Sequence, residues 1–193
     1  MVQARDIAAP PEIERWRWTV NHFRKLGESG ALPADARVEL IGGEIVMATA
    51  PGRRHLTRLD TLIDQFRRPE ALHTLAWRDG WLRLSANDEA RVDLIVLPKP
   101  AREPAPEPRS RDVLLLVEVA DASRAYDLQF KADLYGRAGV PEYWVLDLVD
   151  RWVVSFREPG PKGYRLRQVT LPGASLAPRA LPELSIAVAT LVS

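Results

Sequence analysis

Three residues of this chain combine a side-chain type with a setting that could do chemistry: Asp93, Glu118 and Lys131. Glu118 is the one charge in residues 113–119, a run apolar on both faces that reads as a central buried strand. A carboxylate there costs on the order of several kcal/mol unless a cation or several donors compensate it. Asp93 poses the same problem within residues 91–97, where Val92 and residues 94–97 surround it. If the two strands are neighbours, the acids converge and raise each other's proton affinity unless a cation lies between them. A divalent ion solves this directly. With no cysteine and no His-x-x-x-His pair, the oxygen ligands on offer suit Mg²⁺ or Mn²⁺ better than zinc. Lys131 lies one helical turn beyond Asp127 on the next predicted helix, placed to reach back over such a site. Only four of the 27 cationic residues are lysines, so an amine here is an uncommon choice. An ammonium beside a metal-bound water can orient a nucleophile or stabilise phosphoryl charge, as phosphodiester hydrolysis demands.

Each residue also has a plainer reading. Glu118 could pair with an arginine at a strand end, Asp93 could cap a turn, and Asp127 with Lys131 could be an ordinary i,i+4 salt bridge on an exposed helix. His55 follows Arg53 and Arg54 near a helix start, where backbone donors can help hold a phosphate, or it is structural or solvent-facing. Glu44, beside Gly42 and Gly43, is the candidate for a third acid, whereas Glu39 reads as a surface charge of the same hairpin. The tryptophans read as core residues, since most alternate with aliphatic ones. Glycine-rich phosphate loops of the P-loop or dinucleotide type are absent.

The elements that must position these groups follow from the hydrophobic pattern. Residues 1–30 contain Ile13, Trp16, Val20 and Phe23 at helical spacing before Gly27, which predicts a docking helix. Residues 37–47 read as two short strands joined at Gly42-Gly43. Residues 55–68 form a helix with Leu59, Leu62, Ile63 and Phe66 on one face. Residues 74–84 and 91–97 read as strands of one sheet, and the proline-rich residues 98–108 as a surface loop. A helix over 124–138, started by Asp121 or Ser123 and stopped at Gly139, separates the buried strand from another at 142–147. Residues 152–157 and 164–169 make a hairpin, and the last twenty-five residues add short apolar pieces. This order predicts an α/β fold, a mixed central sheet with helices on both faces.

The whole chain has 193 residues, 46% of them hydrophobic, with 27 Lys and Arg against 26 Asp and Glu. That length predicts a single domain over residues 1–193, and the composition excludes a disulfide scaffold or a disordered chain. No apolar run approaches the roughly 20 residues that cross a bilayer, and the start lacks a secretory apolar core. A soluble, cytoplasmic protein is therefore expected. A net charge of +1 gives no global pull toward polyanions, so any such site must be local.

The succession Asp93, Glu118-Val119, Ser123, Asp127, Lys131, Tyr135, Gly139-Val140, Glu142-Tyr143-Trp144 and Asp147 resembles the Uma-type restriction endonuclease family, a branch of the PD-(D/E)XK nuclease superfamily. Residues 38–47, followed by Pro51 and His55, are similar to that family's opening hairpin and helix. The resemblance covers roughly residues 36–150, leaving an N-terminal helix and, at 151–193, a C-terminal hairpin and tail. It implies a restriction-endonuclease-like fold, Mg²⁺-dependent cleavage of DNA and a homodimer. Carried over by position, Asp93, Glu118 and the Val119 carbonyl hold metal, Lys131 positions the attacking water, and Glu44 or Asp127 assists. Arg53, Arg54 and His55 meet the nucleic acid backbone. Ala120 stands where the superfamily has its lysine, which makes Lys131 the substitute, and Val92 stands where proline is usual. The alternative is a catalytically inactive nucleic-acid or protein-binding module that keeps the fold; a hydrolase of a small phosphorylated compound is a third reading.

Overall fold

The computed structural model of the chain describes residues 14–33, 35–99 and 107–193. Ten strands and four α-helices follow in the order α1 (Val20–Glu28), β1 (Val38–Ile41), β2 (Glu44–Met47), α2 (Arg53–Gln65), β3 (Thr74–Arg83), β4 (Glu89–Pro98) and β5 (Leu115–Ala120). Then come α3 (Ala132–Arg137), β6 (Glu142–Asp147), β7 (Trp152–Gly160), β8 (Gly163–Thr170), β9 (Ser175–Leu176), β10 (Ile186–Ala187) and α4 (Val188–Val192). Eight strands form one sheet in the order β2-β1-β4-β5-β6-β7-β8, with β3 also paired to β4. Among the described strands of this sheet the one parallel pair of neighbours is β5 and β6, which a helical crossover joins. The predicted mixed α/β sheet is therefore present and is mostly antiparallel.

Alternation along the strands divides the core into two layers. Leu94, Val96, Val117, Val119 and Leu146 pack against Leu59 and Leu62 of α2 and against α4. Ile95, Leu116, Ala120 and Val145 face Ala132, Leu134 and Tyr135 of α3. The α1 helix docks on the first hairpin through Val20, Phe23, Val38 and Leu40. It begins later than the spacing predicts, with Thr19 capping it by accepting from the His22 N–H. Ile13 lies outside the described residues, as do residues 100–106 of the predicted proline-rich loop.

Two local features depart from the hydrophobic pattern. The helix after β5 is continuous from residue 124 to 137, but Tyr126–Lys131 is wound as a π-helix, a rare form that is frequent at functional sites. Hydrophobic spacing cannot reveal such a turn. The tryptophans correct another expectation: Trp144 is fully buried, whereas Trp16, Trp77 and Trp81 are exposed.

Candidate active site

The site lies where the sheet forks. One edge of β4 pairs with β3 except at Asp93, while β1 meets the other edge only at Glu89 and β5 only from Leu94 to Val96. Residues 90–93 thus have no strand neighbour on that edge, and unmet backbone groups in a buried position must find other partners. Side chains supply them. Continuing the β4–β5 register by one step sets Asp93 opposite Glu118. The Asp93 N–H donates to Glu118 Oε2 at 3.2 Å, and the Val119 N–H donates to Asp93 Oδ2 at 2.8 Å. The Arg91 N–H donates to Glu39 Oε1 at 3.2 Å, and Lys131 Nζ donates to the Arg91 carbonyl at the same distance.

Lys131 is delivered by the π turn and points inward. Its Nζ lies 2.8 Å from Glu118 Oε1 and 3.1 Å from Glu39 Oε1. Tyr135, one turn on, donates to Glu118 Oε1 at 2.9 Å, and Tyr126 donates to Glu39 Oε2 at 3.2 Å. From the opposite layer, His55 on the first turn of α2 places Nε2 3.0 Å from Asp93 Oδ1. Asp127 accepts from the Ser123 hydroxyl, and its carbonyl accepts from Tyr143. These groups surround a cleft of about 430 Å³ bordered by Glu39, His55, Asp93, Glu118, Asp127 and Lys131.

The predicted residues separate accordingly. Asp93, Glu118 and Lys131 meet, with Val119 entering through its N–H and Asp127 at the margin. Glu118 pairs with Lys131 rather than with a strand-end arginine, and Lys131 turns to Glu118 and Glu39. Glu44 stands apart: it is exposed on β2, where Arg17 holds it at 2.6 Å. Arg54 bonds the Leu148 carbonyl, and Arg53 is exposed beside it at the start of α2. Glu39 is a correction. It is buried to 1% exposure, not a surface charge, because its neighbours Val38, Leu40 and Ile41 are buried on both faces of β1. The signal is the same as that of Glu118, a lone acid in an apolar strand.

Burial and charge set the protonation pattern. Burial pushes Glu118 well above the usual carboxylate range, with Lys131 opposing and Asp93 adding to the rise. Burial disfavours the Lys131 cation, but Glu118, Glu39 and Asp127 outweigh it and hold the amine protonated far above its ordinary range. Burial also raises Asp93, yet its hydrogen bonds from His55 and Val119 and the nearby Lys131 charge bring it below its ordinary value. Asp127 is pushed up to about 6, chiefly by burial. The centre therefore has a strongly ionised carboxylate next to one that needs further positive charge.

Among the described residues no group of three or more His, Cys, Asp and Glu side chains is placed to hold a metal. The donors at the fork are instead two facing carboxylates, Asp93 and Glu118. Such a set fits a hard cation that keeps several of its waters, which is how Mg²⁺ is commonly held.

Comparison with known proteins gives a family and a fold neighbour. A family model, Uma2, described as "putative restriction endonuclease", matches residues 21–189. The chain belongs to the Uma2 family. No curated protein matches it. A Uma2-like fold is also found in a crystal structure from Anabaena variabilis ATCC 29413, described as a putative nuclease belonging to DUF820. That structure is similar over 90% of this chain and 97% of its own, with a TM-score of 0.67 and 16% identity. Family membership supports a nuclease function in general terms, and the neighbour supports the fold. No helix among the described residues is long and apolar enough to cross a membrane.

Proposed function

We propose that the chain is a metal-dependent endonuclease that hydrolyses phosphodiester bonds in DNA, with Asp93, Glu118 and Lys131 at its centre. The observation that carries this reading is the fork in the sheet, where an ionised Asp93 faces Glu118 and a buried Lys131 amine lies 2.8 Å from Glu118. Asp93, Glu118 and the Val119 carbonyl would hold Mg²⁺, or Mn²⁺ in its place. When bound, such an ion supplies positive charge to the phosphate oxygens and acidifies a coordinated water.

The remaining steps belong to the chain's own groups. Lys131 donates toward the attacking water and the developing phosphoryl charge, fixed in direction by Glu118 and Glu39. Tyr126 and Tyr135 hold those two carboxylates, so the amine is oriented before substrate arrives. His55 fixes Asp93 Oδ1, and the Val119 N–H fixes Oδ2 at the fork. Asp127 adds negative charge near Lys131 at the margin. Arg53, exposed at the start of α2, meets the nucleic acid backbone. In this reading residues 1–193 work as one cytoplasmic domain, paired as a homodimer so that each strand of a duplex meets one centre.

The absent lysine at Ala120 does not favour the inactive-module reading, because Lys131 brings an amine to the second acid from the next helix. Incubation with supercoiled DNA tests the proposal. Nicking that needs Mg²⁺ or Mn²⁺ and is competed by duplex DNA but not by mononucleotides is expected. Metal-independent DNA binding without cleavage would move the balance to the inactive module.

A further inference from the structure

A second group of charges on the wall of the same cleft has no part in the centre described above. Arg37, just before β1, and Arg91 on β4 both border the cleft, and one carboxylate, Asp79 of β3, lies against the pair. Arg91 is oriented there by two of its five donors: its Nε and Nη2 each donate to an Asp79 oxygen at 2.5 Å, and its guanidinium sits 6.0 Å from the Trp81 ring centre. Arg37 is not. Its Nη2 is 3.7 Å from Asp79, beyond hydrogen-bond length, and its buried Nε has no hydrogen-bond partner among the described residues.

Elsewhere the cleft is acidic: one Lys131 lies between Glu39 and Glu118, His55 contacts Asp93, and a neutral hydroxyl, Ser123, bonds Asp127. On the Arg37–Arg91 wall alone two guanidiniums stand against one carboxylate, which leaves a local positive excess, with an unmet donor on Arg37. Asp79 reaches its place at a conformational cost. The β3–β4 register passes from Arg78↔Leu94 to Gly80↔Val92, and Asp79 between them is left-handed at φ 51°. Strain of this kind persists only where its surroundings over-determine it, and it gathers at sites that hold ligands.

We propose that Arg37 and Arg91, set by Asp79, form a phosphate-binding subsite that takes a backbone phosphodiester of the bound strand next to the one that is cut. The planar five-donor fork of a guanidinium matches phosphate oxygens two at a time, and Asp79 fixes the orientation of Arg91 in advance. The subsite rests on the nuclease reading for its substrate, and it moves the main phosphate contact from the start of α2 into the cleft. Arg37 and Arg91 bind and position here; Lys131 remains the group that meets the reacting atoms.

Equilibrium binding of a fluorescent duplex oligodeoxynucleotide, measured in chelator over a series of salt concentrations, tests it. Loss of one phosphate contact in Arg37→Ala is expected to weaken binding and to lower the slope of log affinity against log salt by about 0.9. Arg37→Lys is expected to keep the slope, because the charge remains, but not the full affinity. Asp79→Asn frees both guanidiniums in a residue type that tolerates the left-handed region, so the fold is kept and binding is expected to tighten and steepen. In the cleavage assay Arg37→Ala should raise KM and leave kcat in place. Unchanged slopes in both Arg37→Ala and Asp79→Asn would overturn the subsite, even in an enzyme that cleaves. Wild-type protein that binds with the expected slopes yet never cleaves would overturn the nuclease reading and leave the subsite standing; absence of any DNA binding would overturn both.

Discussion

At the residue scale, the centre is defined by which acids are buried and what each one faces. Glu39 illustrates the point. A surface hairpin glutamate could be removed at a cost within about 0.5 kcal/mol, but breaking a buried ion pair costs roughly 3–5 kcal/mol because the partner is left uncompensated. Lys131 keeps Glu118 as a second partner, so Glu39→Ala is expected at the lower end of that range, read by chemical denaturation. Asp127 makes a pH prediction with a definite sign. Its carboxyl titrates near 3.8 when unfolded and at about 6 when folded, so the folded state holds the proton longer. Its contribution to stability is therefore full below about 3.8 and is lost as pH rises toward 6. In metal-free protein, Asp127→Asn should flatten the stability profile across that window; an unchanged profile would show that another group is responsible.

At the element scale, the site depends on two pieces of backbone: the fork along β4 and the π turn before α3. The π turn adds a residue to the helical circuit, and Lys131 thereby reaches Glu118 while Tyr126 reaches Glu39. Close packing holds the helix in place. A Cβ on Gly136 of α3 would lie 2.6 Å from the Gly163 backbone carbon and 2.7 Å from the Tyr164 nitrogen, so it would push α3 off β8. Gly136→Ala is expected to destabilise the fold by about 1–3 kcal/mol, as overpacked cores do, and to slow nicking with it by shifting Lys131. Equal stability of the variant and the wild type in a urea titration would contradict this packing. The elements themselves are largely legible in the sequence. The apolar runs at β1, β5 and β6, the other strand patterns and the turn at Gly42-Gly43, both left-handed, follow from local rules. The fork is not legible, because it depends on which strands share an edge, and that is decided by contacts distant in sequence. For the same reason the meeting of Glu118 and Asp93 stands in the sequence only as a condition, while Glu39 reads as a surface charge and Glu44 as the third acid. Gly42-Gly43 marks the turn correctly, but the acid that turns inward lies on the strand before it.

At the scale of the whole molecule, a mostly antiparallel sheet with helices on both faces brings groups from the β1 hairpin, both layers and the central strands to one cleft. A protein of near-neutral charge has no broad field to gather a polyanion, so the proposed recognition of DNA would rest on local groups such as Arg53, Arg37 and Arg91. If the fork binds a divalent ion only when folded, Mg²⁺ or Mn²⁺ must raise the melting temperature, with about 2.7 kcal/mol gained at a hundredfold excess over Kd. Asp93→Asn should remove most of that rise, and an equal rise in the variant would place the ion elsewhere. The most direct measurement is the nicking of supercoiled DNA by Lys131→Met beside the wild type, at a temperature where circular dichroism shows both folded. The account predicts Mg²⁺- or Mn²⁺-dependent nicking by the wild type and a loss of at least about a hundredfold in the variant, the scale of removing one preorganised electrostatic donor. Nicking that persists at the wild-type rate without the amine, or a folded wild type that cuts no DNA with either ion, would contradict it.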